Sequence, residues 1–154
     1  MSFAAVRVRG SVRVRQDIAD TLRMLRLHRP NHCVVLPARE TTFGMLRKAK
    51  DYITWGEVEG DVLVQLLAAR GRRVGGGPLT EAHVKELGYD SLAALAEAVL
   101  QGEADLQRLD DVKPVFRLSP PRKGYGGVKR SFREGGALGD RGPAINELLL
   151  RMLG

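Results

Sequence analysis

Hydrophobic side chains in the first 58 residues alternate between two spacings, and this alternation constrains the fold more than any other feature. Residues 4–9 alternate between apolar side chains and arginines, which is the period of a strand with one buried face. Residues 16–27 instead place Ile18, Leu22 and Leu25 at helical spacing. The segments that follow are predicted as a strand over 32–36, a helix over 42–50 with Thr41 as its N-cap, and a strand over 52–58. This β-α-β-α-β order predicts an α+β fold with helices on one face of a small sheet.

Beyond residue 58 the sequence predicts several short helices and one strand. The predicted helices run from an Asp61 cap to Gly71, from a Thr80 cap to Gly88, from a Ser91 cap to Gly102, and from Gly142-Pro143 to the C-terminus. Residues 114–118 have the pattern of a strand that starts with proline. We expect this strand to pair with residues 72–74.

The overall composition is typical of a folded protein outside the membrane. Of the 154 residues, 44% are hydrophobic, which is enough for a core. Cys33 is the single cysteine, so no disulfide can form within the chain and we expect it to be a small buried residue. No apolar run approaches the roughly 20 residues of a membrane helix, and the N-terminus has no signal-peptide pattern. We therefore expect a cytoplasmic protein without a membrane partner.

Charge is segregated along the chain. Residues 1–50 have 11 basic and 3 acidic side chains, residues 51–116 have 6 and 12, and residues 117–154 have 8 and 3. Two basic regions thus flank an acidic one, and the net charge of the whole chain is +7. This pattern favours one surface that faces a polyanion, although two ordinary solvated surfaces remain an alternative.

Residues 119–141 form a basic, glycine-rich arm in the sequence. Six glycines let the backbone bend and approach a ligand closely, and basic side chains neutralise phosphates. Tyr125 and Phe132 lie among these residues and can stack on unpaired bases. The basic side chains of the arm are Arg122, Lys123, Lys129, Arg130, Arg133 and Arg141. The arm is typical of an RNA-binding segment, and a flexible solvated loop is the alternative.

A second candidate site lies in the turn between the first helix and the second strand. His28, His32 and Cys33 are close in sequence, but a closed zinc site needs four ligands and no second cluster exists, so we expect no metal. We interpret the turn instead as a set of donors to RNA phosphates. Its predicted members are Arg26, His28, Arg29 and Asn31.

The second predicted helix offers further candidate contacts. The Thr41–Gly44 segment at its start can bind phosphate through free N–H groups, and an ordinary capped surface helix is the alternative. Arg47 and Lys48 are predicted to face outward. Trp55 can stack on a base or belong to the core. No spacing suggests a Ser/His/Asp set or a phosphate-binding loop, so we expect no catalysis, cofactor or small-molecule substrate.

Several longer strings resemble a known family. They are Leu22 to Arg29, Asn31 to Val34, Gly44 to Leu46, Lys48 to Tyr52, Thr54 to Glu57, Leu118 to Tyr125 and Lys129 to Gly136. With these strings the chain resembles the archaeal form of the universal large-subunit ribosomal protein thirty, which is related to eukaryotic large-subunit ribosomal protein seven. The resemblance extends nearly from end to end.

The resemblance implies a ferredoxin-like core over residues 1–58 and an archaeal–eukaryotic extension over 59–154, with the basic arm (119–141) and a C-terminal helix. It also implies a structural ribosomal protein that binds 23S-type rRNA near 5S rRNA, beside other ribosomal proteins. Two alternatives stay open. One is a free RNA-binding regulator, and the other is an acylphosphatase-like hydrolase, for which residues 7–12 offer only a faint similarity and the expected glycine-rich turn is missing.

Overall fold

Six strands form one sheet in the computed structural model, which describes all residues from Met1 to Gly154. The strands are β1 (Ser2–Arg7), β2 (His32–Pro37), β3 (Ile53–Glu57), β4 (Val115–Arg117), β5 (Gly127–Ser131) and β6 (Gly136–Asp140). Their order across the sheet is β4-β2-β1-β3-β6-β5. The strand β1 is antiparallel to β2 and β3, β4 is antiparallel to β2, and β6 is parallel to both β3 and β5.

Helices cover both faces of this sheet. They are α1 (Gln16–Met24), α2 (Glu40–Lys48), α3 (Gly60–Arg70), α4 (Glu81–Glu86), α5 (Leu92–Leu100) and α6 (Ile145–Met152). One core lies between the sheet and α1 and α2, and a larger core lies between the opposite face and α3 to α6. The α+β class is confirmed, whereas the expectation of helices on one face holds only for α1 and α2.

The first strand lies at the centre of both cores. Phe3 and Ala5 face the α1 and α2 side, and Ala4 and Val6 face the other helices. Every residue of β1 is buried, so the expectation of one solvent-facing side was wrong. The extension supplies the second layer that the first 58 residues lack. Because sheet and cores take residues from both parts of the chain, the boundary at residue 58 stays a prediction.

The strand predicted over 114–118 exists but has a different partner. It is β4, and it pairs with β2 so that His32 lies opposite Arg117. The predicted pairing with residues 72–74 was therefore wrong, and only an isolated bridge joins Arg73 to Val112. The burial of Phe116 in the larger core fixes β4 beside β2. The pairing of β4 with β2 joins residues more than 80 positions apart in the sequence, so no local pattern can show it.

The arm over 119–141 is largely built into the fold. It contains β5, a 3-10 turn over Phe132–Glu134, and β6, which pairs with β3 opposite Thr54 and Trp55. The 3-10 turn over Gly142–Ala144 then leads directly into α6. Four apolar residues of α6, which were predicted to dock it, are fully buried: Ile145, Leu148, Leu149 and Met152.

Two of the four predicted helix caps are confirmed. The hydroxyl of Thr80 accepts from the N–H of His83, and that of Ser91 accepts from the N–H of Ala94. Thr41 is wrong because α2 already begins at Glu40, after Arg39. Asp61 is also wrong as a cap, because it lies inside α3. The residue before this helix is Glu59, and its N–H donates to the side chain of Asn146.

No helix of the protein has both the length and the apolarity needed to cross a membrane.

Candidate nucleic-acid interface

One end of the sheet gathers most of the predicted contact residues, and we call it the basic end. Here β1 and β4 finish at Arg7 and Arg117, while β2 and β3 begin opposite them at His32 and Ile53. The strands β5 and β6 also begin at this end, because β6 is parallel to β3. The turn over 26–31 and the loop over 118–126 therefore lie side by side.

Helix C-termini add further cations to the basic end. The helices α1 and α2 lead directly into β2 and β3, and α3 ends where Arg70 donates to the carbonyl of Arg117 at 2.6 Å. The helix α6 ends where Arg151 donates to the carbonyls of Arg122 and Gly124. Cations are favoured at helix C-termini because the helix dipole is negative there. The exposed or half-exposed cations of the basic end are Arg23, Arg26, Arg29, Arg47, Lys48, Lys50, Arg70, Arg117, Arg122 and Lys123.

The opposite end of the sheet is acidic. Glu57 ends β3, and Glu59 and Asp61 lie at the start of α3, where the helix dipole favours carboxylates. A cavity there is lined by both glutamates together with apolar residues that include Leu100. The charge segregation of the sequence thus becomes a polarity between the two ends of the sheet.

Asn31 and Tyr125 hold the turn and the loop of the basic end together. Asn31 adopts a left-handed conformation (φ 71°), and its N–H donates to the carbonyl of Arg7 at 2.8 Å. The hydroxyl of Tyr125 donates to the side-chain oxygen of Asn31 at 2.5 Å. Burial raises the pKa of Tyr125, so the hydroxyl keeps its proton. Both residues, which were predicted as RNA contacts, position the surface from within the protein.

Arg7 stabilises the same region from inside the protein. It is 4% exposed, and its guanidinium donates to the carbonyls of Leu27 and Arg9 and to the hydroxyl of Ser11. Burial lowers its pKa, although an arginine remains charged at neutral pH. Sequence analysis missed this role, because the alternation of β1 placed Arg7 on a solvent-facing side.

His28, Arg29 and Arg26 are exposed around this turn, as predicted. His32 lies beside them, and its Nδ1 atom is buried without a hydrogen-bond partner. Burial lowers the pKa of His32, and the nearby positive groups Arg117, His28, Arg29 and Arg7 lower it further. Cys33 is fully buried, and burial raises the pKa of its thiol, which agrees with the prediction of a small core residue. The protein has no cluster of three or more residues that could hold a metal ion.

The residues of α2 share one exposed face. Gly44, Arg47 and Lys48 are spaced i, i+3 and i+4, which places them together on that face. Gly44 lies in the middle of the helix, so its N–H is not one of the free first-turn groups. Phosphate binding at the start of α2 stays a prediction for Thr41 and Thr42. A side chain added at Gly44 meets nothing within 4 Å, so the helix backbone is open to close approach here. Trp55 is a core residue, 6% exposed.

The far edge of the sheet presents the cations of the arm. Lys129 and Arg130 are exposed on β5, and Arg133 is exposed in the turn that follows. Phe132 is 39% exposed, and the guanidinium of Arg141 lies 4.9 Å from its ring centre. One face of Phe132 is thus supported from within the protein.

Arg141 itself is not a surface residue. It is 7% exposed, and its guanidinium donates to the hydroxyl of Thr54 at 2.8 Å and to the carbonyl of Ala137 at 2.7 Å. Burial lowers its pKa, and the positive charge of Arg151 lowers it further. Because its donors point into the protein, Arg141 is not free to meet RNA as the sequence predicted. It fastens β6 to β3 instead.

Four further cations near β4 were missed by sequence analysis: Arg70, Arg72, Lys113 and Arg117. They are separated along the chain and lie in or beside its acidic middle part. Their grouping depends on the pairing of β4 with β2, so no local signal could reveal it. The basic residue in the last turn of α3, Arg70, was the one available hint.

Comparison with known proteins gives consistent similarities. Residues 3–53, which span β1 to the start of β3, match the family described as "Ribosomal protein L30p/L7e". A protein named "Large ribosomal subunit protein uL30" from Methanococcus vannielii is 54% identical over 99% of this chain and 100% of its own length. Proteins of the same name from Nanoarchaeum equitans and Methanocorpusculum labreanum are 50% and 48% identical over 98% and 97% of this chain, and 98% and 99% of their own lengths. The similarity therefore includes the extension and the arm.

Proposed function

We propose, from the premise that this chain belongs to the ribosomal protein L30p/L7e family, that it is a structural constituent of the large ribosomal subunit and binds large-subunit rRNA. The curated relatives are named as large-subunit proteins and cover the chain almost completely. The family is one of structural proteins, so the protein is not an enzyme, and no feature of the fold favours the hydrolase alternative.

The gathering of helix C-termini and loops at the basic end is the observation that best supports this function. Ten exposed or half-exposed cations lie there, and only Arg23 and Lys48 of these have a carboxylate within 4.0 Å. Like charges concentrated in this way repel one another in the free protein. A polyanion relieves the repulsion and releases its own counterions, which is the main source of affinity for a nucleic-acid backbone.

We assign the contacts by exposure. The predicted residues whose side chains are free to meet RNA are Arg26, His28, Arg29, Arg47, Lys48, Arg122, Lys123, Lys129, Arg130, Phe132 and Arg133. Gly44 contributes by leaving the exposed face of α2 open. Asn31 and Tyr125 act as positioning residues, because they bond to each other rather than face outward.

The salt dependence of rRNA binding tests these assignments. Each of the variants Arg47→Ala, Lys129→Ala and Arg130→Ala removes one phosphate contact, so each should reduce the slope of log K against log salt by about one unit. Lys85→Ala removes an equal charge from α4, outside the assigned surface, and should leave the slope unchanged. An equal change in Lys85→Ala and in the three variants contradicts a localised contact surface.

The family resemblance supports two finer proposals. The rRNA is of the 23S type and the protein lies near 5S rRNA and other ribosomal proteins. Crosslinking within isolated large subunits should join the protein to 5S rRNA or to its immediate neighbours, and crosslinks restricted to distant rRNA contradict this position.

Sedimentation of a lysate distinguishes the proposed function from the alternative of a free RNA-binding regulator. A ribosomal constituent migrates with large subunits, whereas a free regulator remains near the top of the gradient.

A further inference from the structure

The cations of the basic end continue along the edge of the sheet formed by β4, where Arg72 and Lys113 lie beside Arg117. Two cavities meet at Arg117 there. One, of about 160 Å³, is lined by Arg70, Arg72, Gly76, Lys113, Val115 and Arg117. The other, of about 420 Å³, is lined by Arg29, His32 and Arg117. Both exceed the roughly 30 Å³ share of a water molecule, so a phosphate oxygen and its hydration can enter.

No carboxylate lines either cavity. The protein has six ion pairs, and none of them includes the five cations that line the two cavities. The neighbouring Arg73, by contrast, is paired with Asp111 at 2.9 Å. The positive charge of the β4 edge is therefore left uncompensated by the protein itself.

Some of these cations are held in place by the backbone. Arg70 donates to the carbonyl of Arg117 at 2.6 Å and to the hydroxyl of Ser119 at 2.7 Å. Arg72 donates to the carbonyl of Gly71 at 2.8 Å. Anchored guanidinium groups lose little side-chain freedom when a ligand binds, which favours recognition of a fixed anion.

His32 adds a polar group to the second cavity. It lines this cavity opposite Arg117 on the neighbouring strand. Its Nδ1 atom is buried and has no hydrogen-bond partner within the protein, which is rare in native proteins. The lining of this cavity is therefore entirely polar.

The β4 edge is far from the cations of β5. The strands β4 and β5 are the two opposite edges of the six-stranded sheet, so five strand spacings separate them, or roughly 24 Å. Lys129 and Arg130 on β5 therefore cannot bind the same phosphates as Lys113 and Arg117.

We propose that the β4 edge, centred on Lys113 and on Arg117 of the basic end, is a phosphate-binding surface for the sugar–phosphate backbone of RNA that is separate from β5. As a second surface, it binds a different RNA segment from the one bound at β5. The proposal rests on the function proposed above. It makes the protein a rigid connector between two segments of rRNA.

Hydroxyl-radical footprinting of protein-bound rRNA tests the proposal. The double variant Lys113→Ala/Arg117→Ala should lose protection of one group of nucleotides and keep a second group. Lys129→Ala/Arg130→Ala should lose the second group and keep the first. Each double variant should also reduce the salt slope by about two units. Arg73→Ala/Asp111→Ala, which removes a neighbouring neutral pair, should keep both groups.

The outcomes separate this proposal from the function on which it rests. Full protection by Lys113→Ala/Arg117→Ala, or loss of the same nucleotides in both double variants, overturns the second surface. If the β4 edge binds an acidic protein instead of RNA, the Lys113→Ala/Arg117→Ala variant leaves the rRNA protection unchanged. This result also overturns the inference. If even the unaltered protein protects no rRNA, the proposed function itself fails. The variant Arg117→Gln removes the charge and keeps a polar side chain. It should lose the same footprint, and its thermal unfolding checks that the lost footprint does not reflect a lost fold.

Discussion

At the scale of single residues, burial divides the arginines into two groups. Arg7 and Arg141 are 4% and 7% exposed and donate to backbone carbonyls and hydroxyls inside the protein. Arg29, Arg117 and Arg130 are exposed and have no carboxylate partner. The first group stabilises the fold, and the second is available to a polyanion. Sequence patterns alone do not separate the two.

Arg141→Ala should therefore reduce stability rather than weaken a phosphate contact. The change removes two hydrogen bonds from a charged donor and the support of Phe132, so we expect a loss of about 2–3 kcal/mol in the free energy of unfolding. Denaturation in urea measures this loss. Arg133→Ala, an exposed arginine eight residues earlier, is the matched control and should change stability by less than about 0.5 kcal/mol. Equal losses in the two variants contradict the distinction.

His32 should make stability depend on pH in a predictable direction. Its pKa is lowered in the folded protein by burial and by the positive groups Arg117, His28, Arg29 and Arg7, whereas the unfolded chain titrates near the ordinary value of 6.5. The unfolded state thus binds a proton more readily, so the free energy of unfolding should fall as the pH drops below about 6.5. His32→Gln should weaken this dependence between pH 7.5 and 5.5. An identical pH dependence in both proteins contradicts the lowered pKa.

At the scale of elements, one close contact fixes α6 against the sheet. Gly56 of β3 lies directly against the carbonyl of Gly142 and the side chain of Ile145, where α6 begins. Asn146 adds a hydrogen bond to the carbonyl of Glu57 at 3.0 Å. The docking of α6 in turn positions Arg151 beneath the loop of the basic end.

Gly56→Ala should disrupt this contact. An added Cβ overlaps the carbonyl of Gly142 and comes within 2.9 Å of Ile145, so we expect a loss of about 1–3 kcal/mol in the free energy of unfolding. Gly44→Ala is a sharp control, because a Cβ there meets nothing within 4 Å and lies in a helix. It should stabilise the protein by about 0.5–1 kcal/mol. Thermal or urea denaturation should show a lower free energy of unfolding for Gly56→Ala and a higher one for Gly44→Ala. A change of the same sign in both variants contradicts the account.

The sequence predicted those elements whose determinants are local. The stripe of Ile18, Leu22 and Leu25 predicted α1, and Ser91 predicted the start of α5, because each signal lies within one or two helical turns. The sequence did not predict the pairing of β4 with β2 or the burial of Arg141. Both depend on contacts between residues more than 80 positions apart, as the bond from Arg141 to Thr54 shows. The candidate site followed the same rule. The exposed cations of the 26–31 turn, of α2 and of the arm were predicted, whereas the cations grouped around β4 and the buried Arg7 were not.

At the scale of the whole molecule, the two basic regions of the sequence meet because the topology brings them to one end of the sheet. Residues 26–31 come from the first region and residues 118–126 from the second, and the bond from Tyr125 to Asn31 joins them. Glu57 and Glu59 lie at the opposite end. A protein with this polarity binds a polyanion in one orientation, with its acidic end turned away.

A density map of the assembled large subunit tests this orientation most directly. We predict that the basic end and β5 lie against nucleotides, with Lys129 and Arg130 within hydrogen-bonding distance of phosphate oxygens. Glu57 and Glu59 should face solvent or a neighbouring protein. A map in which residues 119–141 project into solvent, or in which the acidic end faces the rRNA, contradicts the account.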